Sequence, residues 1–427
     1  MKILVVGSGG REHAIIWKLK QSAKVTEIFC APGNPGIAEL ASCIDLKVDQ
    51  IKELADFAQL NKIDLTIVGP ELPLTLGIVD HFDRLNLRIF GPDLAGAEME
   101  ASKAFCKDVM VAAGVPTASY QVFNNEDSAR AYLKSQSFPV VIKADGLAAG
   151  KGVVISPDLD SAETALKFVF NDLKADKIVI EEFLDGVEAS LIVATDGERV
   201  VPLCVSNDYK TIYDGNTGPN TGGMGTVSPT QHLPVELEQN AIELVIKPVI
   251  QELAKRGIRY RGFLYAGLMI SKNQRLNVLE FNARCGDPET QVIMSRMEGD
   301  LAELLYALSG KPEERLSLPE ISWSNQAAVC LVLACKGYPL VPVLGDEISG
   351  IAQAQLPSIK VFHAGTKNNS DQKLVTAGGR VLNVVAMSDT VDNARQLAIT
   401  AAKKIDFAGK QFREDIGRPY WEIKSSN

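Results

Sequence analysis

The sequence predicts a multidomain protein of the α/β and α+β classes, and three observations along the chain support this prediction. Apolar strands alternate with helical segments up to about residue 100, as in open parallel α/β domains. Glycine-rich turns then join paired β segments, which is typical of hairpins. Pro312, Pro319 and the polar segment Ser322 to Asn325 finally mark off a third, mostly antiparallel α+β region. A chain of 427 residues is long enough for roughly two to four domains.

The first region is expected to form an open parallel sheet with helices between its strands. Strands are predicted at Ile3 to Gly7, Val25 to Cys30, Leu65 to Gly69 and Arg88 to Gly91, with helices from Arg11 and near Lys52 to Leu60. Ligands of such sheets bind at the carboxyl ends of the strands. Those ends carry the turns Gly9-Gly10-Arg11-Glu12, Pro32-Gly33-Asn34 and Gly69-Pro70-Glu71, which predict a binding crevice.

The second region begins with a helix and continues into hairpins. The helices are predicted at Ser102 to Ala113, Val235 to Arg256 and in the segment up to Leu308. The strands are predicted at Val140 to Asp145, Gly152 to Ser156, Ile178 to Phe183, Ala189 to Ser206 with a turn at Asp196-Gly197, Phe263 to Ile270 and Leu276 to Ala283. The third region is expected to hold strands at Ala327 to Ala334 and Ile359 to Ala364, a hairpin around Gly378-Gly379 and a closing helix at Val391 to Lys404.

The composition favours an ordinary globular protein with small-molecule partners. The formal charge of −9 and the pI near 5.2 argue against broad binding to nucleic acid or to anionic membranes. The apolar run at the N-terminus is too short for a signal peptide, and no stretch approaches the ~20 apolar residues of a membrane helix. Seven scattered cysteines without a CxxC pair suggest reduced thiols and a cytoplasmic location.

The segment Gly7-Ser-Gly-Gly-Arg-Glu12 follows a strand and opens a helix, as dinucleotide-binding motifs do. The third glycine of that motif is replaced by Glu12, and no acidic residue closes the second strand. These two departures argue against a dehydrogenase, whereas an anion site at the helix N-terminus remains. A tight turn without a ligand fits this motif alone equally well.

The segment Lys143 to Gly152 joins two β segments through a glycine-rich turn that lacks the spacing of a P-loop. It is expected to lay backbone N–H groups over ATP phosphates, with Lys143 as a point charge. An ordinary hairpin with solvated lysines is the alternative. The strand end Glu181 to Leu184 and the later Glu188 are a weaker indication of adenine and ribose binding, because exposed glutamates are common.

Two later motifs carry the strongest chemical indication. The loop Thr217-Gly-Pro-Asn-Thr-Gly-Gly-Met-Gly225 can bring backbone N–H groups against an anion. Along the strand Leu279 to Arg284, side chains alternate between faces. Glu280, Asn282 and Arg284 are therefore expected to share one face, and the opposite, apolar face is expected to carry Leu279, Phe281, Ala283 and Cys285. Carboxylate and amide oxygens suit Mg²⁺, and a guanidinium suits a phosphate beside it. Phosphate chemistry is therefore predicted.

Taken in order, these motifs resemble those of the ATP-grasp ligases. They are Lys103 in Ser-Lys-Ala-Phe-Cys-Lys, the Lys143 to Gly152 hairpin, Glu181-Glu-Phe-Leu184, the Thr217 to Gly225 loop and Glu280-Phe-Asn-Ala-Arg-Cys-Gly-Asp-Pro-Glu-Thr-Gln291. The last two are similar to motifs of the phosphoribosylamine–glycine ligase family, the glycinamide ribonucleotide synthetases of purine biosynthesis. Gly7 to His13, Ala31 to Asn34, Val68 to Glu71 and Thr376 to Leu382 extend the resemblance over nearly the whole chain.

The resemblance implies a reaction and a domain plan. ATP phosphorylates the glycine carboxylate, and the amine of 5-phospho-β-D-ribosylamine attacks the glycyl phosphate, giving glycinamide ribonucleotide, ADP and phosphate. The domains implied are an N-terminal α/β substrate-binding domain (1–101), a central ATP-grasp domain (102–322) with a smaller nucleotide-covering part at about 120–190, and a C-terminal α+β domain (323–427).

The resemblance also assigns roles to residues. It places catalytic roles on Arg284, Lys143 and Asp287, and metal ligation by Mg²⁺ or Mn²⁺ on Glu280 and Asn282. ATP contacts fall on Lys103, Lys143, Glu181, Glu182, Phe183, Leu184 and Glu188. Substrate contacts fall on Gly9, Gly10, Arg11, Glu12, Asn34, Glu71, Asp214, Pro219, Asn220, Thr221, Gly222, Gly223, Met224, Asp287 and Arg380.

Three positions depart from the family pattern, namely Cys285 for the usual Phe, Asn216 for Asp and Thr211 for Arg. Cys285 is expected to adjust packing only, whereas Thr211 and Asn216 remove charge near the anion loop and are expected to shift substrate affinity. The partners implied are glycine and phosphoribosylamine, with a monomeric state and weak contact with neighbouring purine-pathway enzymes. The competing functions are another ATP-grasp carboxylate–amine ligase and a non-catalytic nucleotide-binding regulator.

Overall fold

The computed structural model describes residues 1–147 and 152–418. The first hundred residues form a five-stranded, all-parallel sheet in the order β3-β2-β1-β4-β5. Its strands are β1 (Lys2–Gly7), β2 (Glu27–Pro32), β3 (Ser42–Cys43), β4 (Leu65–Val68) and β5 (Ile89–Phe90), and its helices are α1 (Gly10–Leu19), α2 (Ile51–Leu60), α3 (Glu71–Thr75), α4 (Ile78–Arg84) and α5 (Leu94–Ala101). The predicted open parallel domain is confirmed. The chain leaves β1 on one side for β2 and later reaches β4 on the other, so a crevice opens at their carboxyl ends.

Helix α6 (Lys103–Ala112) leads into a four-stranded antiparallel sheet in the order β6-β9-β7-β8. Its elements are β6 (Tyr120–Phe123), α7 (Glu126–Leu133), β7 (Val140–Ala144), β8 (Val153–Ser156), α8 (Leu159–Lys167) and β9 (Ile178–Glu182). The two helices pack on one side of this sheet and bury a small apolar core of their own. The predicted glycine-rich turn between β7 and β8 includes residues 148–151, which lie outside the described residues.

A second antiparallel sheet, in the order β11-β10-β16-β17, forms the floor of the central region. Its strands are β10 (Val187–Thr195), β11 (Val200–Pro202), β16 (Gly262–Ile270) and β17 (Leu276–Asn282). The predicted long helix covers one face of it as α9 (Val235–Ala241) and α10 (Lys247–Lys255), which a π-helical turn joins into one continuous helix. Helices α11 (Glu289–Arg296) and α12 (Leu301–Leu308) follow β17.

A third antiparallel sheet, in the order β12-β15-β20-β24-β21, joins the central and C-terminal regions. Its strands and the remaining elements are β12 (Asn207–Asp208), β13 (Thr211–Tyr213), β14 (Thr217–Asn220), β15 (Gly225–Ser228), β18 (Met297–Glu298), β19 (Ser322–Trp323), β20 (Ala327–Ala334), α13 (Ile351–Ala354), β21 (Ile359–His363), β22 (Thr366–Asn368), β23 (Leu374–Thr376), β24 (Arg380–Ser388) and α14 (Val391–Lys404). Because β15 pairs with β20, this sheet crosses the position predicted for the last domain boundary. The boundary itself stays a prediction.

The hairpin predicted around Gly378-Gly379 is wrong. Strand β23 pairs with β22, whereas β24 pairs with β20 and β21. The backbone at Gly365 passes so close to Gly378 that a Cβ on Gly365 would lie 2.5 Å from the Gly378 Cα. The two glycines therefore allow the chain to pass from one sheet to another instead of turning back on itself.

The strand alternation predicted for β17 is interrupted at Leu279. Gly267 pairs with Glu280 and Leu268 pairs with Val278, so Leu279 has no partner in the register and forms a β-bulge. Val278 and Phe281 consequently both face the buried core, and Leu279 lines a cleft beside Glu280. The expectation that Leu279 lies on the apolar face is wrong, because an extra residue reverses the alternation at that point.

Buried apolar residues connect the regions into one molecule. The largest cluster includes Ile15 of α1, Val292 of α11, Leu304 of α12 and Ala328 of β20. Apolar burial of this kind is the main stabilising contribution to a fold. The described residues contain no helix that is both long enough and apolar enough to span a bilayer.

Candidate active site

A cleft of about 810 Å³ lies where the N-terminal sheet, the two central sheets and the C-terminal region meet. It gathers residues that are far apart in the sequence, from Ser8 to Arg380. The predicted site residues that line it are Gly9, Arg11, Glu71, Lys103, Lys143, Glu181, Glu182, Phe183, Leu184, Glu188, Asn220, Thr221, Gly222, Glu280, Asn282, Arg284, Asp287 and Arg380. The volume falls within the range of clefts that bind cofactor-sized ligands.

Several predicted site residues lie behind the wall of this cleft and support it. Glu12 is 2% exposed; its carboxylate accepts hydrogen bonds from the Gly9 N–H at 2.6 Å and from Arg11 Nε at 2.5 Å. A Cβ at Gly7 or at Gly69 would lie 2.4 Å or 2.0 Å from the Glu12 side chain, so both glycines make room for it. The turn after β1 is thus held open by a buried carboxylate.

Asn34 also acts as a support. Its Nδ2 donates to the carbonyl oxygens of Ser8, at 2.7 Å, and His363, at 2.9 Å, and so ties the turn after β1 to the C-terminal region. Gly10 is buried at the start of α1, where a Cβ would lie 2.1 Å from Asn383 Nδ2. Neither Gly10 nor Asn34 lines the cleft.

The predicted anion loop reaches the cleft through Asn220, Thr221 and Gly222 only. Met224 is completely buried, and Asp214 accepts hydrogen bonds from the backbone N–H groups of Glu414, at 2.9 Å, and Asp415, at 3.3 Å. Two more predicted loop residues, Pro219 and Gly223, do not line the cleft.

Thr211 and Asn216, the two residues near the loop that depart from the family pattern, share one hydrogen-bond partner, Arg413. Its guanidinium donates to Thr211 Oγ1 at 2.8 Å and to Asn216 Oδ1 at 2.9 Å, and it pairs with Asp415 at 2.7 Å. The Arg413 side chain is fully buried. A buried arginine from the C-terminal region therefore supplies positive charge at the base of the loop, behind the cleft.

The part of the cleft formed by α6, β7 and β9 contains a buried cluster of two lysines on one carboxylate. Glu181 Oε2 lies 3.0 Å from Lys107 Nζ and 3.1 Å from Lys143 Nζ. Burial lowers the pKa of Lys107, and Glu181 opposes that change. Glu181 thus fixes the position of Lys143, which also donates to the Leu279 carbonyl at 3.4 Å. Lys107, one helical turn after Lys103, was not predicted from the sequence; the i, i+4 spacing on α6 was the signal that could have found it.

Lys103 stands at the start of α6 and contacts the β7–β8 segment. Its Nζ donates to the Gly146 carbonyl at 3.0 Å, and Asp145 Oδ1 accepts from the Ala104 N–H at 3.1 Å. The Ser102 hydroxyl caps the helix by accepting from the Phe105 N–H. The start of α6 and the segment after β7 are therefore joined by hydrogen bonds.

Glu280 and Asn282 project into the cleft from β17. Among the described residues neither side chain has a hydrogen-bond or ion-pair partner, so their oxygens are free to bind a cation. Burial disfavours the ionised Glu280, but the charges of Lys210, Lys143, Lys103 and Arg284 together lower the pKa of this carboxyl below its usual value. No cluster of three or more His, Cys, Asp or Glu ligands exists in the described chain. The pair fits a Mg²⁺ ion whose remaining ligands are water and phosphate oxygens.

Arg284 is held by two carboxylates from the N-terminal region. Its Nη2 lies 2.8 Å from Glu100 Oε1, and its Nε lies 3.2 Å from Glu71 Oε2. Burial alone would lower the pKa of Arg284, but Glu100 and Glu71 raise it. Glu100 also accepts the Ala283 N–H at 2.8 Å, and it was missed because nothing in the sequence around it marks so distant a contact.

Asp287 and Arg380 form another part of the cleft wall. Arg380 Nη1 donates to the carbonyls of Gly222 and Asp287, each at 2.6 Å, and Nη2 lies 3.6 Å from Asp287 Oδ2. Burial would raise the pKa of Asp287, but Arg380 and Arg11 lower it. Arg380 thus joins the anion loop to the turn after β17. Further lining residues that sequence reasoning missed here are Asp208, Lys210, Tyr265 and Glu289.

Comparison with known families matches almost the whole chain. The phosphoribosylglycinamide synthetase models match in three parts: the N domain at residues 1–100, the ATP-grasp (A) domain at 101–290 and the C domain at 328–419. This chain belongs to the phosphoribosylglycinamide synthetase family.

Members of this family are similar over their full lengths. Phosphoribosylamine–glycine ligase of Salmonella typhimurium is 48% identical over 425 residues, which is 98% of each chain. The enzyme of the same name from Pasteurella multocida is 47% identical over 98% of this chain and 97% of the relative.

Solved structures confirm the fold. Phosphoribosylamine–glycine ligase from Thermotoga maritima superposes with a TM-score of 0.84 at 33% identity, covering 98% of this chain and 100% of that one. A biotin carboxylase from Campylobacter jejuni, solved as a β,γ-ATP complex, shares the fold with a TM-score of 0.73 at 15% identity, covering 99% of this chain and 94% of that one.

Proposed function

We propose that this chain is an ATP-dependent ligase that joins glycine to 5-phospho-β-D-ribosylamine, giving glycinamide ribonucleotide, ADP and phosphate in purine biosynthesis. The observation that carries the proposal is the convergence of Lys143, Glu280, Asn282 and Arg284 on one cleft in a chain that matches this family from end to end. No nucleophilic side chain is required, because the carboxylate oxygen of glycine itself attacks the γ-phosphorus of ATP.

The reaction has two balanced steps. A glycine carboxylate oxygen forms a bond to the γ-phosphorus, and the bond from that phosphorus to ADP breaks. The amine of phosphoribosylamine then attacks the glycyl carbon, its excess proton is lost, and phosphate departs with the oxygen that came from glycine. Lys143 and Lys103 neutralise phosphate charge, and Arg284, fixed by Glu100 and Glu71, faces the charge that develops during transfer.

A divalent cation is part of the proposal. Glu280 and Asn282 would hold Mg²⁺ or Mn²⁺ against the ATP phosphates, and the ion would neutralise charge on the phosphoryl group. The sheet of β6, β7, β8 and β9 would cover the nucleotide, while Arg11, Asp287 and Arg380 would hold the phosphoribosylamine. We further propose a monomer that acts in the cytoplasm, with weak contact to neighbouring enzymes of the pathway; light scattering of the purified protein tests the monomeric state.

The central test is ADP release from purified protein with ATP, Mg²⁺ and glycine, with and without phosphoribosylamine formed in situ from ribose 5-phosphate and ammonia. Release that requires both substrates is expected. ATP turnover indifferent to them would favour a different ATP-grasp ligase, and a folded, ATP-binding protein without turnover would favour a regulator.

The metal assignment is tested by Glu280→Gln, which keeps the size of the side chain but removes its charge. We expect at least about a 100-fold loss of turnover, since even residues that only orient metal ligands cost about 10- to 100-fold. Titration of Mg²⁺ at saturating ATP should show weakened activation in the variant. Glu236→Gln, on the exposed side of α9, is the matched control, and wild-type turnover in Glu280→Gln would remove Glu280 from the metal site.

A further inference from the structure

One wall of the cleft carries acidic groups to which the reaction described above gives no role. Asp208 ends β12, Glu289 begins α11, and Tyr265 lies on β16; all three line the cleft. The Ser190 hydroxyl lies 2.9 Å from the Tyr265 hydroxyl and 3.2 Å from Glu289 Oε1, so it links Tyr265 to Glu289. Glu289 is only 2% exposed.

Of the three wall residues, Asp208 has the fewest side-chain hydrogen bonds. Its Oδ1 is fully buried and has no hydrogen-bond partner among the described residues. An unpaired buried acceptor costs free energy, and the Asp208 carboxylate as a whole lines the cleft without a hydrogen-bond or ion-pair partner among the described residues. Burial raises the pKa of Asp208 well above its usual value, and the nearby Glu289 raises it further.

The cations nearby are engaged elsewhere. Lys210 Nζ pairs with Glu188 Oε2 at 2.9 Å, and Arg380 donates to the carbonyls of Gly222 and Asp287. The buried Glu289 carboxylate and the partly buried Asp208 carboxylate therefore face the cleft without a cation bound directly to either in the described part of the chain. A ligand with a compact positive charge would satisfy both.

The backbone holds these carboxylates in place. A Cβ at Gly223 would lie 2.7 Å from Asp208 Oδ1, and one at Gly286 would lie 2.3 Å from Glu289 Oε2. Gly223 also has a φ of +114°, which side chains other than glycine rarely adopt. The anion loop and the turn after β17 therefore pack directly on the acidic wall.

We propose that Asp208 and Glu289, together with the Tyr265 hydroxyl, form the binding site for the α-ammonium group of the amino acid substrate. This inference deepens the proposed function and rests on it for the identity of that substrate as glycine. Lys210 stands within the electrostatic reach of Asp208 on one side and of Glu280 on the other. It would face the substrate carboxylate and direct it toward the phosphates.

The assignment gives the acidic wall a role in substrate selection, because the α-ammonium group is what distinguishes an amino acid from other small carboxylic acids. The same site would reject carboxylic acids that lack the ammonium, because they would leave the buried carboxylates unpaired.

The test compares glycine with glycolate, in which a hydroxyl replaces the ammonium, in the wild type and in Asp208→Asn. We expect kcat/KM for glycine to fall about 10- to 100-fold, mainly through KM, as for loss of a hydrogen bond to a charged group. The KM for ATP and kcat/KM for glycolate should change little. Asp371→Asn, an exposed carboxylate on a turn outside the cleft, is the control.

An unchanged KM for glycine, or an equal loss with glycine and glycolate, would overturn the inference. If thermal melts show that Asp208→Asn is not folded, the same comparison of glycine with glycolate is made in Glu289→Gln. Calorimetric titration of glycine in the presence of a non-hydrolysable ATP analogue separates this inference from the proposed function. If glycine binding depends on Asp208 but the protein shows no turnover, the ammonium site is supported and the ligase function is rejected. If the protein turns over but glycine binding is unaffected by Asp208→Asn, the ligase function is supported and the ammonium site is rejected.

Discussion

At the scale of single residues, the side chains that line the cleft are positioned by charges that lie behind them. Glu181 holds Lys143 and Lys107, Glu100 holds Arg284, and Glu12 holds the turn after β1. Most of the lining residues were predictable because their motifs are local in the sequence. Glu100 was not, since its role depends on Arg284, a partner far away in the sequence.

Removing the charge of Glu181 should therefore displace Lys107 and Lys143 in the cleft. In Glu181→Gln, two buried ammonium groups would share a neutral oxygen, and breaking a buried ion pair costs about 3–5 kcal/mol. We expect a lower unfolding temperature and a higher KM for ATP.

The double variant Glu181→Gln/Lys107→Met removes one of the two cations and should restore part of both losses. Thermal melts and ATP saturation curves give the comparison. A double variant that is no better than Glu181→Gln would show that the lysines are not held by charge balance.

At the scale of elements, strand β17 shows what an alternation pattern can and cannot predict. The pattern correctly placed Glu280, Asn282 and Arg284 on the cleft and Phe281, Ala283 and Cys285 in the core. It failed at Leu279, because a bulge is set by the register with β16 rather than by the residues of β17 themselves. The hairpin wrongly predicted at Gly378-Gly379 has the same origin, because strands adjacent in the sequence were assumed to pair with each other.

Cys285 offers a test at this scale. Its side chain is 1% exposed within the largest apolar cluster and points away from the cleft. Cys285→Phe should cost about 1–3 kcal/mol of unfolding free energy through overpacking and leave turnover unchanged. Chemical denaturation and steady-state assays measure the two quantities, and a sharp change in turnover would show that Cys285 does more than pack.

At the scale of the whole molecule, the cleft exists because distant regions are joined. The His363 N–H donates to His13 Nδ1 at 2.9 Å, and so connects β21 to helix α1. The third sheet joins strands of the central region to the C-terminal region. Sequence reasoning predicted the parallel N-terminal sheet and the antiparallel C-terminal part, but it could not predict that β15 pairs with β20 across the proposed boundary.

The histidine contact predicts an acid sensitivity. Burial lowers the pKa of His13 to about 3 and that of His363 to about 4, from 6.5. Between those values and pH 6.5 the unfolded chain binds protons that the native protein does not, so stability falls as the pH drops through this window. His13→Asn should reduce the loss of unfolding temperature between pH ~7 and pH ~5. An identical pH profile in the variant would remove His13 from the effect.

The most direct measurement of the central claim follows an oxygen atom. Glycine labelled with ¹⁸O in its carboxylate is incubated with ATP, Mg²⁺ and phosphoribosylamine, and the released phosphate is analysed by mass spectrometry. Ligation through glycyl phosphate predicts one ¹⁸O atom in each phosphate formed with glycinamide ribonucleotide. Product accompanied by unlabelled phosphate would contradict the account, because the carboxylate would then have been activated by some other route.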